Sequence, residues 1–267
     1  MRRGSIFWGS IIVLLGVVLL IDQLVPGFNA WGIFWPLLLI LMGVWFLVGR
    51  NLVGASSHLV SEQVVVPLAD IRQARIRLQH GAGRLDVNAA AAPGTLLSGS
   101  FSGGVEQNLE RSAESARLSL RARGDTFFAG WPFASMQGGL QWNISLSREI
   151  PLQLELETGA SESRLDLQEL RVSELTIKTG ASSSTITLPG NAGQTRVVVQ
   201  SGAASVDLFV PQGVAGRIRV QSGLAGIHID PNRFPPAASG YETPGYENAA
   251  NKVDISVETG VGSVTVR

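Results

Sequence analysis

Histidines are the side chains most often recruited for metal binding and acid–base chemistry, and this 267-residue sequence holds three of them. They are His58, His80 and His228, and no two have the short spacing of a metal-binding motif. His80 stands where related segments of the chain carry Ser or Thr, and His228 falls on an outward position of a predicted strand. We therefore interpret both as corner or surface residues without a catalytic or metal-binding role.

Aspartates recur in similar segments of the chain, a pattern that invites comparison with calcium-binding repeats. They are Asp86, Asp166, Asp207 and Asp254. A calcium-binding roll carries GGxGxD in tandem, whereas each segment here offers one Asp flanked by apolar strand residues. We predict solvated, outward-facing carboxylates and no metal site.

Nucleophilic residues show no catalytic arrangement. The sequence contains no Cys, which excludes thiolate catalysis, disulfides and Cys-ligated zinc or iron–sulfur clusters. The run of serines at 182–184 lies outside any GxSxG elbow, and we interpret it as filling a corner two residues longer than most. The sequence thus predicts a protein that is not an enzyme, with no catalytic, cofactor-binding or metal-binding residues.

Charge divides the chain into two parts that its zero net charge conceals. In total, 21 basic residues balance 21 acidic ones, which argues against a nucleic-acid-binding protein because such proteins carry a basic excess. The first 50 residues contain Arg2, Arg3 and Arg50 against Asp22, a net charge of +2. The rest of the chain holds 18 basic and 20 acidic residues, a net charge of −2.

The first part has the length and composition of two membrane-spanning helices. Residues 4–21 and 24–49 carry no charge, and a helix needs about 20 mostly apolar residues to cross a bilayer. A cleaved signal peptide is the alternative, but the apolar run is too long, lacks a small-x-small cleavage site and precedes a second span. The Pro-Gly pair at 26–27 favours a turn, so we predict a helical hairpin with spans at about 6–24 and 28–48.

Flanking arginines predict the orientation of this hairpin. Arg2 and Arg3 precede the first span, Arg50 follows the second, and the connecting turn carries only Asp22. The positive-inside rule places both ends of the hairpin in the cytoplasm. We expect a multi-pass protein of the cytoplasmic membrane, in contact with the lipid bilayer through residues 1–50, whose other residues are cytoplasmic.

After a polar linker at 51–63, a repeated unit fills residues 64–267. Each unit has an apolar-x-apolar run, a residue that is usually Ser or Thr, a Gly, and a second apolar-x-apolar run. The glycines are Gly81, Gly159, Gly180, Gly202, Gly223 and Gly260. From the second to the fifth they are spaced 21, 22 and 21 residues apart. The alternation predicts two half-buried strand arms, and the Gly predicts a corner with positive φ or close backbone approach.

The residue after each corner glycine is apolar throughout the repeat. The set is Ala82, Ala160, Ala181, Ala203, Leu224 and Val261. Stacking of equivalent corners at equal heights would align these side chains in one column. Their apolar character predicts that the column faces inward.

Two all-β architectures accommodate the repeat. Coils of about 21–22 residues in which alternate strands resemble one another predict a β-solenoid, whose coils bury their apolar sides on each other. Strands every 10–11 residues also fit an antiparallel β-sandwich. Insertions near 124–140 and 231–251 interrupt the repeat. The first holds an aromatic cluster at 126–133, either a loop packed over the stack or an exposed contact patch.

The segments that carry these patterns resemble two known families. The apolar segments at 8–24 and 34–50 resemble the LiaI/LiaF-like transmembrane region. The β-repeat resembles toast-rack domains, which occur in the LiaF C-terminal region and in adhesin-like bacterial membrane proteins. The matching pieces are HGAGRLDV (80–87), PLQLELETGASESRLDL (151–167), KTGASSSTITLP (178–189), QSGAASVDLFVP (200–211) and ETGVGSVTVR (258–267).

The resemblance implies a bacterial inner-membrane protein without catalytic residues. LiaF-type members take part in sensing damage to the cell envelope and restrain a histidine kinase, although this chain has fewer predicted spans than LiaF itself. We predict a membrane-anchored, non-enzymatic regulator of the envelope stress response that acts through protein contacts, with a histidine kinase or another membrane protein as partner. The alternative is an extracytoplasmic structural or adhesin-like module. We also predict self-association through residues 261–266, at the end of the predicted stack.

Overall fold

The computed structural model describes residues 61–123 and 140–267 of the chain. The chain divides into two units, Met1–His58 and Leu59–Arg267, and the described residues belong to the second. The predicted membrane hairpin and the aromatic cluster lie outside the described residues. Within them, no helix has the length and apolar character needed to cross a membrane.

Thirteen strands form one sheet in the described part of the chain. They are β1 (Ser61–Pro67), β2 (Gln73–Asn88), β3 (Thr95–Ser102), β4 (Val105–Ser112), β5 (Ser115–Ala122), β6 (Leu140–Leu146), β7 (Pro151–Asp166), β8 (Arg171–Thr187), β9 (Gln194–Phe209), β10 (Ala215–Ile229), β11 (Pro236–Ala237), β12 (Gly240–Glu242) and β13 (Lys252–Val266). A short 3-10 helix, Tyr246–Asn248, precedes β13. The strand order is β1-β3-β6-β2-β7-β8-β9-β13-β10-β12-β11, and β5 pairs with both β2 and β4.

The long strands β2, β7, β8, β9, β13 and β10 carry the repeats and pair in parallel, with equivalent residues side by side. Leu156 of β7, for example, lies opposite Leu78 of β2 and Ile177 of β8. All three are buried, while the residues between them along each strand are exposed or half-buried, because successive side chains of a strand point to opposite faces. Equivalent apolar rows are therefore stacked directly on one another.

Each long strand changes the phase of this alternation at its corner glycine. In β7, half-buried Thr158 precedes the corner and buried Ser161 follows it, so that Gly159 and Ala160 lie consecutively on the exposed side. A strand that bends accommodates an extra residue on its outer side, as at a β-bulge. The prediction of an inward apolar column is therefore wrong. Five of its members are exposed, namely Ala160, Ala181, Ala203, Leu224 and Val261, and Ala82 is half-buried.

Close backbone contact, rather than positive φ, explains the corner glycines. A Cβ added to Gly159 would lie 2.5 Å from the carbonyl oxygen of Gly81, and one added to Gly223 would lie 2.8 Å from that of Gly260. None of the corner glycines has a positive φ. At Gly159, Gly180, Gly202, Gly223 and Gly260 an added Cβ would lie 2.5–3.1 Å from a carbonyl oxygen of the neighbouring strand, so close packing favours glycine in these five repeats.

The serine run at 182–184 does not lengthen its corner. Register continues without a shift through this corner, and Ser184 lies opposite Val206 of β9. Ser184 is buried, as is Ser163, which lies opposite Leu85 of β2. The prediction of a corner two residues longer is therefore wrong. Serines occupy two inward positions that other strands fill with apolar residues, so in the sequence the apolar-x-apolar run of this arm starts two residues late.

Strand β13 lies between β9 and β10, so that the stack does not follow the order of the sequence. Ile255 of β13 pairs with Val197 of β9 on one side and with Ile218 of β10 on the other. The predicted terminal position of residues 261–266 is therefore wrong: β10, not β13, is the outermost repeat. The segment 230–251, which includes β11 and β12, is long enough to carry the chain from β10 back to the edge of β9.

At the β2 end, other strands cover both arms of the stack. Strand β5 pairs in parallel with the first arm of β2, and β6 pairs with its second arm. Strands β4 and β3 extend these two pairings antiparallel. The rings of Phe101 and Trp142, both fully buried, pack edge to face with centroids 5.0 Å apart. Together β5 and β6 take the place of one further repeat.

At the β10 end, the cover found among the described residues is partial. Strand β12 pairs with β10 only at Arg217 and Ile218, and the ring of buried Phe234 lies against Gly216 of β10. Beyond the corner, Leu224 is 82% exposed and Ile227 is 39% exposed. The second arm of β10 thus presents apolar side chains at the end of the stack.

Candidate functional site

A groove of about 1050 Å³ follows the corner glycines across several strands. Each of five strands contributes the residue two positions before its corner glycine, and these are Gln79, Glu157, Lys178, Gln200 and Glu258. The adjacent residues also line the groove, and these are His80, Thr158, Thr179, Ser201 and Thr259. Since the strands are in register, the same kinds of position recur at intervals of about 4.8 Å along the groove.

Ion pairs link charged side chains of β2, β7 and β8 at and beside the groove. Arg77 Nη2 donates a hydrogen bond to Glu157 Oε1 at 2.6 Å, and Lys178 Nζ donates to Glu155 Oε1 at 3.1 Å. The amide of Gln79 donates to the other oxygen of Glu157 at 2.7 Å. Hydrogen bonds from Gln79 and then Arg77 hold the pKa of the Glu157 carboxyl below its usual range. Glu157 is therefore a poor general base at neutral pH.

Hydroxyl groups line the groove along the row next to the glycines. Thr158 Oγ1 donates to Thr179 Oγ1 at 2.9 Å. Farther along, the hydroxyls of Ser201 and Thr259 make no hydrogen bond within the described residues. The Ser201 and Thr259 hydroxyls are themselves buried, so this row is not exposed to a partner, and it does not by itself form a nucleophile–base pair.

His80 occupies the hydroxyl position of β2, opposite Thr158, and is buried. Its ring lies 4.9 Å from that of Trp142, centroid to centroid, and burial lowers the pKa of His80 to about 4. The corner position is as predicted, but the prediction of a surface histidine is wrong because Trp142 and the covering strands enclose it. In the described part of the chain, neither ring nitrogen has a hydrogen-bond partner, whereas a catalytic histidine is oriented by one.

The other residues singled out in the sequence remain scattered. His228 is exposed on β10, and His58 lies outside the described residues. The four aspartates are exposed or half-buried, and one of them, Asp254, accepts a hydrogen bond from Arg219 at 2.6 Å. In residues 61–123 and 140–267, no group of His, Cys, Asp or Glu side chains could hold a metal ion.

The groove itself is a feature that the sequence analysis missed. Its signal is the polar residue that comes two positions before each corner glycine, such as Gln79, Lys178 or Gln200. Within one repeat this residue is an ordinary outward side chain. These polar residues form one continuous surface only because the equivalent corners of adjacent strands lie side by side in the stack.

Two family models match the chain. A model of the LiaF transmembrane domain matches residues 7–67. A model described as the N-terminal domain of toast_rack, DUF2154, matches residues 55–209, which is more than half of the chain. Both matches agree with the resemblances that the sequence motifs indicate.

Two solved structures show likeness to this chain. A "putative cell adhesion protein" from Clostridium sporogenes is 21% identical with a TM-score of 0.70, over 77% of this chain and 97% of that one. A "putative adhesin" from Bacteroides fragilis is 5% identical with a TM-score of 0.29, over 79% and 98% of the two chains. The first likeness shows a shared fold. Comparison with curated proteins gives no match.

These comparisons define the class of protein. The matching families are of non-catalytic kinds, and the match to the LiaF transmembrane domain supports a membrane-associated protein. The stacked β-repeat in the described residues is in keeping with the toast-rack match. The chain belongs to the toast-rack family, and its residues 7–67 match a model of the LiaF transmembrane domain.

Proposed function

We propose that this chain is a bacterial membrane-anchored, non-enzymatic protein that regulates the cell-envelope stress response through protein contacts of its β-repeat domain. The groove carries this proposal, because the in-register polar side chains two positions before the corner glycines offer an extended binding surface in place of a reaction centre. The LiaF-type match at residues 7–67 supports membrane attachment. A histidine kinase or another membrane protein is the expected partner.

The proposed organisation is a two-span hairpin in residues 1–50, a linker at 51–63 and a cytoplasmic β-repeat domain from 64 onward. Arg2, Arg3 and Arg50 support the cytoplasmic side through the positive-inside rule. We further infer that the parallel, in-register strands form a β-solenoid. A solenoid would present its groove as a rigid linear surface to a partner.

A charge placed in the groove tests the binding role. Gln200 is exposed and lies opposite Lys178 on one side and Glu258 on the other, with its amide 3.4 Å from a Glu258 carboxylate oxygen. Gln200→Arg therefore introduces a bulky second cation beside Lys178, which Glu258 can partly neutralise. Ser205→Arg places the same side chain on the second arm of β9, also exposed and outside the groove. The two full-length variants are compared by cross-linking in membranes, affinity purification and mass spectrometry.

The proposal predicts that Gln200→Arg loses a membrane-protein partner that wild type and Ser205→Arg both retain. Loss of the partner should accompany a changed response of an envelope-stress reporter. Equal recovery of partners by Gln200→Arg and Ser205→Arg would exclude the groove as the binding surface. Absence of any enriched membrane protein with wild type would refute regulation through protein contacts.

An extracytoplasmic adhesin-like module is the second candidate. It is supported by the fold shared with the cell adhesion protein of Clostridium sporogenes, at a TM-score of 0.70. Reporter fusions after Arg267 distinguish the two functions. Fluorescence from a green fluorescent protein fusion supports the cytoplasmic regulator, whereas activity of an alkaline phosphatase fusion, which requires export, supports the adhesin-like module.

A further inference from the structure

Glu258 is a groove carboxylate that no cation of the described residues neutralises. It lies between Gln200 of β9 and Gln221 of β10 in the row of outward side chains before the corner glycines. Its carboxylate accepts a hydrogen bond from the Gln200 amide at 3.4 Å and makes no ion pair within residues 61–123 and 140–267. Since the side chain is also exposed, its negative charge is available to a cation from another molecule.

The other glutamate of this row is already neutralised. Glu157 accepts a hydrogen bond from Arg77 at 2.6 Å. On the strand next to Glu258, Arg219 lies two positions farther from the corner and donates to Asp254 at 2.6 Å instead. Glu258, and not Glu157, therefore offers an uncompensated charge at the groove.

Two exposed apolar side chains lie on the same face, just beyond the corner glycines. Val261 follows Glu258 by three residues, about 10 Å along the strand, and Leu224 pairs with Val261 from β10. They are 52% and 82% exposed, whereas β7, β8 and β9 carry alanine at this position. Gly260 and Gly223 separate them from the polar row, so no side chain fills the space between. We define the corner patch as Gln200, Gln221, Glu258, Leu224 and Val261.

The chemistry of the corner patch selects a polypeptide that is both basic and apolar. A guanidinium binds a carboxylate through two parallel hydrogen bonds, and the amide oxygens of Gln200 and Gln221 can accept its other N–H groups. An apolar side chain next to that arginine would cover the exposed apolar pair. An anionic lipid surface, by contrast, would repel Glu258.

We propose that the corner patch binds a basic cytoplasmic juxtamembrane segment of the partner membrane protein, with an arginine on Glu258 and an apolar residue on Leu224 and Val261. Cytoplasmic flanks of membrane spans carry an excess of Lys and Arg beside apolar residues. A domain tethered to the same membrane meets such segments at a high effective concentration. This inference rests on the proposed function, because it takes the β-repeat domain to be cytoplasmic, and it adds the chemistry of the partner.

Peptide binding to the full-length protein in nanodiscs of zwitterionic lipid tests this chemistry. The probe is a fluorescent peptide in which Arg and Leu alternate, and a matched peptide carries Glu in place of Arg. By fluorescence anisotropy, with empty nanodiscs as the blank, we expect the Arg peptide to bind and the Glu peptide not to bind. Glu258→Gln should weaken binding of the Arg peptide about fivefold, the effect of one exposed ion pair.

Glu106→Gln is the matched control for the loss of this carboxylate. Glu106 is also exposed and makes no ion pair in the described part of the chain, but it lies on β4 at the other end of the stack. We expect Glu106→Gln to bind the Arg peptide as wild type does. Leu224→Ser should weaken binding, because it removes the larger of the two apolar contacts.

Reversal of the charge gives a sharper result. Glu258→Lys should abolish binding of the Arg peptide and gain binding of the Glu peptide, whereas Glu106→Lys should do neither. Equal binding of the two peptides by wild type, or an unchanged affinity of Glu258→Lys for the Arg peptide, would overturn the proposal. Both measurements use the purified protein, so the recovery of partners by Gln200→Arg and Ser205→Arg still tests the regulatory function separately.

Photo-crosslinking in cells identifies the natural segment. A benzoylphenylalanine residue takes the place of Leu224 in the full-length chain, and Val65, which is exposed on β1 at the other end of the stack, is the control position. We expect position 224, and not position 65, to cross-link to a Lys- and Arg-rich peptide that adjoins a span of another membrane protein. A cross-link from position 224 to a second copy of this chain, or the absence of a basic segment among its cross-linked peptides, would overturn the inference.

Discussion

His80 shows how one side chain can couple the stability of the domain to pH. It fills a position where neighbouring strands carry a hydroxyl, and Trp142 packs against its ring. Burial disfavours the imidazolium form and lowers the pKa of His80 to about 4. In the unfolded chain the same group titrates near 6.5, so the unfolded state binds a proton first as the pH falls.

Replacement of His80 by Phe should therefore reduce the pH dependence of stability. The contribution of His80 is fully favourable above pH 6.5 and is lost as the pH falls from 6.5 to 4, by up to about 3 kcal/mol. Denaturant unfolding of the solubilised full chain between pH 7 and 4 measures this difference. Exposed Val65 gives the control, since Val65→Phe removes no titratable group and should retain the wild-type slope. Parallel curves for wild type and His80→Phe would contradict a buried neutral imidazole.

At the scale of the strand, the corner glycine sets how closely neighbouring repeats approach. The added Cβ of Gly159 would lie 2.5 Å from a backbone carbonyl oxygen, which a rotamer change cannot relieve. Gly190 provides a contrast, because its added Cβ would lie 3.5 Å from the carbonyl oxygen of Gln168, an ordinary contact. Neither glycine has a positive φ, so the two differ in space and not in backbone strain.

We expect Gly159→Ala to lower the free energy of unfolding by roughly 1–3 kcal/mol, the usual effect of overpacking. Gly190→Ala should change it little, because no close contact arises. Urea unfolding of both full-length variants measures the two values. If Gly159→Ala were as stable as Gly190→Ala, close packing of the corners would not be the reason for glycine in the repeat.

Some features of these corners could be predicted from the sequence and others could not. Alternation and the glycine spacing predict the strand arms and the bend, because both depend on neighbours along the chain. The exposure of Ala160 and the burial of Ser184 could not be predicted, since each depends on the phase change and on the residue stacked beside it. The groove is still harder to predict from the sequence, because several adjacent strands form it and no single repeat contains it.

At the scale of the whole domain, β13 connects β9 to β10, because it pairs with both strands. Its residue Val264 is fully buried and pairs with Val206 of β9 and Ile227 of β10. Val261, three residues earlier on the same strand, is 52% exposed. A weakened β13 should therefore loosen the strands on both of its sides, including β10, which precedes it in the sequence.

Val264→Ala should cost roughly 1–3 kcal/mol through the cavity it leaves. In hydrogen exchange, protection should fall most in β9, β13 and β10, whereas β2 and β7 should retain more of theirs because they lie farther along the stack. Val261→Ala is the control, and its exchange pattern should resemble that of wild type. A loss of protection confined to β9 and β13 would show that β10 does not rely on β13.

The interleaved position of β13 also has a consequence for biosynthesis. A ribosome delivers β9 and β10 before β13, and β10 carries the same two arms and corner glycine that β13 later presents to β9. In the growing chain, β10 is thus a competitor for the edge of β9, and any such pairing must dissociate before the native order can form. Domains with such competing pairings depend on slow rearrangement or on chaperones, and here that demand arises once β13 has been synthesised.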